Sequence, residues 1–284
     1  MVVCMTAVTL GLLQKIQPEE QTAHRDPASD EPIPEAPIVV IGSSLMMYAI
    51  PPISSGKNSL LGDSRKHARL ALSNITEPQT IGLLKRVIAS QTEQVFVEIH
   101  PFCFDFSFQK PRDGIFQQTH LHDFIDQIRT FSVLSRRELG RRSGWHSDTK
   151  AQLSIEQTIT HEPTRLDEAF HIARDSLDQV YPLHLRAPRH LDQLEELLGL
   201  AQERHLEIVL VAPSRSQTAV DYIGSESADA LERHIQDVAR RLDLPLFQPA
   251  RCWPDEYFID QAHMNRRGRE RFCNELAKWS SERP

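Results

Sequence analysis

The chain has 284 residues, 40% of them hydrophobic and 25% charged, which supplies a full core and excludes a wholly disordered polymer. Its 32 Lys and Arg against 39 Asp and Glu leave a net charge of −7. That sign argues against general nucleic-acid binding, where affinity comes from neutralising phosphates. The four cysteines, Cys4, Cys103, Cys252 and Cys273, form no Cys-x-x-Cys pair, so neither a zinc ribbon nor a disulfide framework is signalled, and no metal or other cofactor is implied.

Residues 1–16 open on the apolar run MVVCMTAVTLGLL, shorter than the roughly 20 residues that a bilayer core requires. It reads either as the surviving end of a membrane anchor or as a helix packed on the domain. Residues 17–37 carry Pro18, Pro27, Pro32, Pro34 and Pro37 among acidic and small residues. Such a stretch cannot bury enough apolar surface to offset its ordering entropy, and prolines keep it extended. An apolar end, a spacer and then a domain is the layout of an extracytoplasmic protein of the periplasm or cell envelope. A membrane tether or a membrane-protein partner is expected to go with it.

The domain is expected over 38–284. IVVIG at 38–42 is a β-branched run between Pro and Gly, the pattern of a buried strand. Further strands are predicted at 69–73, 95–99, 207–212 and 244–247. Helices separate them: 76–90, opened by Thr76 with Gln79 three residues on, a capping-box pattern, then 191–205, 228–242 and 266–279. Strands alternating with helices predict a three-layer α/β/α domain around a roughly five-stranded parallel sheet. The interval 103–190 breaks the rhythm. It reads as a helical cap beside the sheet's carboxyl edge, where α/β proteins bind ligands, or as a helical layer that extends the core.

Two places carry chemistry. The first strand runs into Gly42-Ser43-Ser44-Leu45, which sets a hydroxyl at the sheet's carboxyl edge ahead of a helix; the plainer reading is a structural turn. Near the other end, Asp260-Gln261-Ala262-His263 precedes the last helix. A carboxylate three residues before a histidine can hold its Nδ1–H and leave Nε2 free as a base; alternatively Asp260 caps that helix.

Together these blocks resemble the SGNH/GDSL hydrolase superfamily, whose nucleophile is the third residue of a Gly-Asp-Ser-Leu block. The resemblance implies a flavodoxin-like sheet and a serine triad of Ser44, His263 and Asp260. It also implies an oxyanion hole from the backbone N–H groups of Ser44 and Asn74, with His100 standing where the family has Asn. Asn74 replaces the usual Gly, and Asn tolerates the left-handed backbone better than most residues; the His100 ring can donate through one nitrogen but can also lose that proton. Ser43-Ser44, the apolar end and Asp-x-x-His-x-Asn-x-x-Gly look most like envelope members acting on acyl groups of polysaccharides. The implied function is an acyl (acetyl) esterase or O-acyltransferase for an acylated carbohydrate or other ester. The alternative is a degenerate member that binds a glycan or a partner protein. A dinucleotide-binding protein is disfavoured because bulky residues follow Gly42.

Weaker signals remain. Gly62-Asp63-Ser64 spells the family block, yet no apolar strand delivers it, and a surface turn is expected. His120, His122, Asp123 and Asp126 read as a solvated face rather than metal ligands. Arg136, Arg137, Arg141 and Arg142 read as a solvated helix face or an anion contact. Trp145 and Arg215 are candidate substrate-binding residues, each with a packing role as the alternative.

Overall fold

Ile38–Gly42 (β1) is apolar toward both faces and buried end to end, as an interior strand of a covered parallel sheet must be. The computed structural model describes residues 33–52, 66–72, 74–105, 162–172, 177, 180, 181 and 183–283. The apolar segment 1–16, most of the 17–37 spacer and most of the 103–190 insertion lie outside them. Among the described residues no helix is long and apolar enough to cross a membrane.

β1 pairs in parallel with His67–Ala71 (β2) on one side and Gln94–Glu98 (β3) on the other. Glu207–Val211 (β6) follows beside β3, and Leu246–Phe247 (β8) closes the far edge. The order is therefore β2-β1-β3-β6-β8, all parallel. The helices are Ser44–Ala49 (α1), Glu77–Ile88 (α2), the short His100–Cys103 (α3), Leu191–Glu203 (α4), Gln217–Ile223 (α5), Ser225–Arg241 (α6) and Arg266–Ser281 (α7). The predicted three-layer α/β/α architecture with a five-stranded parallel sheet is what the chain forms.

The boundaries differ where polar residues are buried. β2 starts at His67 rather than 69, and His67 and Arg69 are both fully buried within it. Most of their polar atoms meet backbone carbonyls: His67 Nε2 lies 3.0 Å from the Pro51 carbonyl, and Arg69 Nη1 donates to the carbonyls of Met47 (2.8 Å) and Ile50 (2.5 Å), while His67 Nδ1 is buried without a hydrogen-bond partner among the described residues. At α2 the predicted start holds, since Gln79 Oε1 accepts the Thr76 N–H at 3.0 Å. Asn265 caps α7, its side chain accepting the Gly268 N–H at 3.0 Å, so Asp260 is not the cap of that helix.

The core gathers Ile38 and Val40 of β1, Phe96 of β3, Met46 of α1 with Ile50 just after it, and Phe272 of α7. Burying each such side chain contributes on the order of 1.5–3 kcal/mol. α1 is thus held between the sheet and α7. Beyond the sheet's carboxyl edge lie two small pairings. Phe104–Asp105 (β4) runs antiparallel to His184–Leu185 (β5), and Arg215–Ser216 (β7) runs parallel to Cys252–Trp253 (β9).

Candidate active site

The turn from β1 into α1 is fixed from beneath. Ser43 is the N-cap of α1, its Oγ accepting the Leu45 N–H at 3.1 Å. Its backbone N–H donates to Glu98 Oε2 at 2.6 Å, and its hydroxyl donates to Glu98 Oε1 at 3.0 Å. Glu98, the last residue of β3, is fully buried. Gly42 permits this closeness, because a Cβ there would stand 2.3 Å from Met46 Cγ and 2.8 Å from Glu98 Oε2.

Ser44 is the first residue of α1, and its Oγ lies 2.9 Å from His263 Nε2. His263 stands in a tight loop closed by the Phe258–Met264 bridge and by the Ile259 N–H bond to the His263 carbonyl at 2.9 Å. Inside it Asp260 Oδ1 accepts the backbone N–H groups of Ala262 (3.1 Å) and His263 (2.9 Å), an Asx-type turn. The same carboxylate meets His263 Nδ1 at 3.0 and 2.9 Å. Burial alone would push the Asp260 carboxyl up, but the bonds from the His263 ring and the two backbone N–H groups outweigh it and hold the carboxyl below its ordinary range. Ser44, His263 and Asp260 therefore form one hydrogen-bonded series, although 219 positions separate Ser44 from His263.

Several neighbours carry no signal in the sequence. Tyr48, one turn after Ser44 on α1, sets its ring centroid 4.8 Å from that of His263. Burial pushes its phenol up, with Arg165 opposing and Asp260 adding. Arg165 Nη1 comes within 3.9 Å of Asp260 Oδ2 and is itself tied to Glu168. Segment 162–172 braces the loop through the His171 N–H bond to the Ile259 carbonyl and the Arg266 N–H bond to the Leu166 carbonyl, both 2.9 Å. At the other end of α1, Arg269 donates to the carbonyls of Tyr48 (2.8 Å) and Met47 (3.2 Å), next to the Arg69 contacts. Burial, with Arg269 adding, pulls the Arg69 guanidinium down to about 10, which leaves it charged at neutral pH.

The expected oxyanion positions fall on the same sheet edge. Asn74, just past β2, takes the left-handed backbone with φ 56°, and Leu72 N–H donates to the Gly42 carbonyl at 2.9 Å. Asn74, Pro101, Phe104, Arg186, Arg189 and His190 are among the residues lining a cleft of about 510 Å³. His100 is buried, with Nδ1 3.0 Å from Glu98 Oε1. Burial pushes its pKa down against the pull of Glu98, and Arg215 adds to the fall. A neutral ring that donates Nδ1–H to a carboxylate keeps a lone pair, not a proton, on Nε2. Arg215 is also buried, donating from Nη1 to the Tyr181 hydroxyl at 2.9 Å. Trp145, the 62–64 turn, the 120–126 His/Asp group and the 136–142 arginines lie outside the described residues.

Glu98 was the residue to notice in the sequence: a carboxylate directly after the apolar run Val95-Phe96-Val97. Tyr48, Arg165, Arg69 and Arg269 come from four separate segments, and only folding brings them to one helix.

No family model matches the chain, and no curated protein matches it. Among solved structures it is similar to a candidate acylhydrolase from Bacteroides fragilis, at 9% identity over 90% of this chain and 92% of that one, with a TM-score of 0.39. It is also similar to a GDSL-like lipase from Bacteroides thetaiotaomicron (10% identity, 86% of each chain, TM-score 0.35). A third is a variant of an acetyl-xylooligosaccharide esterase from Geobacillus (14% identity, 86% of this chain and 93% of that one, TM-score 0.40).

Proposed function

We propose that the chain is a serine-dependent acyl hydrolase or O-acyltransferase of the SGNH/GDSL type. Its substrate in this reading is an acyl ester, acetyl above all, on a carbohydrate of the cell envelope. The observation that carries the proposal is the hydrogen-bonded series Ser44–His263–Asp260. The carboxylate fixes the imidazole with its proton on Nδ1, so the Nε2 lone pair faces the Ser44 hydroxyl. As Ser44 Oγ attacks the ester carbonyl carbon, its proton passes to Nε2. The tetrahedral intermediate then expels the alcohol oxygen, which takes that proton back, and leaves an acyl-serine. Water or a sugar hydroxyl repeats the sequence in reverse, giving hydrolysis or transfer.

The developing oxyanion needs donors aimed at it. Ser44 N–H is among the first-turn groups that a helix leaves without an internal partner, and Asn74 N–H is the second donor. His100 adds a third only when it carries a second proton. The cleft beside Asn74 offers Arg186, Arg189 and His190 alongside Pro101 and Phe104, a mixed lining that suits a hydroxyl-rich acceptor. The apolar 1–16 segment and the proline-rich spacer support an extracytoplasmic, tethered placement.

Turnover of p-nitrophenyl acetate and labelling by a fluorophosphonate test the proposal. Wild type should do both, and Ser44→Ala should lose about 1,000-fold or more in kcat and all labelling at that position. Folded wild type that neither labels nor turns over would overturn it. One observation favours a second reading, a non-catalytic glycan-binding member: at neutral pH His100 presents an acceptor where the family presents a donor. That reading expects glycan binding unchanged by Ser44→Ala.

A further inference from the structure

α1 is only six residues long, yet it brings more than Ser44 to the triad. Ser44 and Tyr48 are four positions apart, so they share one face of the helix. The other side chains serve the core: Leu45, Met46, Met47 and Ala49 are buried, and Met46 and Ala49 pack with Ile38, Phe96 and Phe272. Tyr48 stands outside that cluster and is half-buried. Its ring lies 4.8 Å from the His263 imidazole, centroid to centroid, with a tilt of 51°. Rings at that separation are in contact. The charges acting on its phenol are those of Arg165, Asp260, Glu168 and Arg269, so the side chain reaches toward Asp260 as well as toward the imidazole.

The imidazole needs such a neighbour. Asp260 holds Nδ1 at 3.0 and 2.9 Å, and Ser44 Oγ stands 2.9 Å from Nε2. Hydrogen bonds at ring nitrogens lie in the plane of the ring, and tilting the ring bends them gradually without a hard stop. A packed side chain does stop it, because repulsion between touching atoms rises steeply. The His263 side chain is 24% exposed, so its own loop does not enclose it. Tyr48 is anchored independently of His263: Arg269 donates from Nε to the Tyr48 carbonyl at 2.8 Å and from Nη1 to Glu162 at 2.5 Å.

We propose that Tyr48 is a positioning residue that holds the His263 ring. α1 then sets both partners of the proton transfer, Ser44 Oγ directly and His263 Nε2 through the Tyr48 ring. The inference rests on the acyl-transfer reading of the site. It assigns the role to the ring rather than to the hydroxyl, since the contact is between rings.

The test uses Tyr48→Leu, Tyr48→Met and Tyr48→Phe, each with p-nitrophenyl acetate turnover and a crystal structure beside that of wild type. A half-exposed side chain outside the core can be changed without unfolding the domain. Tyr48→Leu should lower kcat on the order of 100-fold, the cost of about 1 Å of misplacement, with KM within about twofold of wild type. Its structure should show the His263 ring displaced or divided between positions, with Nε2 beyond about 3.5 Å from Ser44 Oγ. Tyr48→Met, which fills the space with a flexible chain, should do the same. Tyr48→Phe should keep the ring in place and kcat within about threefold of wild type.

A Tyr48→Leu protein with kcat within about threefold of wild type, or with the His263 ring where wild type has it, overturns the proposal. So does Tyr48→Phe as slow as Tyr48→Leu, which gives the role to the hydroxyl. If Tyr48→Leu does not fold, Tyr48→Met is read in its place; failure of both to fold makes Tyr48 a structural residue and overturns the proposal too. The ring's place is read without turnover. A wild type with no activity sinks the acyl-transfer reading, and the crystal structures still decide whether Tyr48 holds His263.

Discussion

Removing Glu98 tests how the turn that carries Ser44, the proposed nucleophile, is held. In Glu98→Ala three donors lose one buried acceptor: the Ser43 N–H, the Ser43 hydroxyl and His100 Nδ1–H. Breaking a buried charged group away from its partners typically costs about 3–5 kcal/mol. In a domain of this size that corresponds to a fall in Tm of about 6–20 °C. The turn also sets Ser44, and displacing a reacting group by about 1 Å costs on the order of 100-fold in rate. Glu98→Gln should lie between. Its amide oxygen can still accept from Ser43 N–H, and its NH2 meets a hydroxyl and a ring nitrogen that both become acceptors, the first by rotating and the second by changing tautomer. We expect stability and kcat to rank wild type, then Gln, then Ala, measured by urea unfolding at constant m and by p-nitrophenyl acetate turnover. An alanine variant within about 0.5 kcal/mol of wild type and undiminished in kcat would refute the claim that Glu98 holds the turn.

Three further perturbations have worked outcomes. Asp260→Asn should lower kcat about 10,000-fold with little change in KM, because the amide no longer enforces the Nδ1–H tautomer; a loss under tenfold would contradict that role. Gly268→Ala should destabilise by about 3 kcal/mol or more in urea, since its Cβ would fall 2.1 Å from the Tyr257 carbonyl oxygen, a backbone atom that cannot step aside. Stability should fall as pH drops below about 6.5. Burial holds His67 and His100 below their ordinary pKa, so the unfolded chain takes up two protons there that the folded chain does not. The slope reaches about 2.7 kcal/mol per pH unit at most, and urea midpoints that stay flat from pH 7.5 to about 5.5 would contradict it.

The parallel sheet was readable because its strands are local apolar runs between helices with ordinary amphipathic spacing. Thr76 and Gln79 marked the start of α2 by a side-chain bond three residues long. Ser44, Asp260 and His263 were readable because each sits at a strand or helix end where the local pattern changes. β2 was misplaced by two residues because His67 looks like a loop residue, and its partner, the Pro51 carbonyl, belongs to another segment. Arg165 and Arg269 were silent for the same reason, since their contacts span about a hundred positions or more. His100 shows the limit most plainly. Its identity suggested a donor, but the proton it donates goes to Glu98, two residues back in sequence and on the other side of a bend between strand and helix.

The support around α1 bears on why a six-residue helix is built this way at all. A helix this short is not stable alone, and apolar packing by Met46, Ala49 and Ile50 would suffice to keep it on the sheet. Instead a buried carboxylate grips its N-terminal turn through Ser43, and two buried guanidiniums grip the carbonyls of Met47, Tyr48 and Ile50. Each of those charges costs desolvation, and well-packed apolar residues in their places would often be as stable or more so. Hydrogen bonds differ from apolar contacts in being directional, so what the charges add is orientation. They fix the helix along its axis from both ends, and Ser44 is the residue whose proposed role depends on that, because its Oγ would have to stay within reach of His263 Nε2. In the proposed mechanism, placement of Ser44 Oγ, rather than net stability, is the physical return on burying Glu98, Arg69 and Arg269.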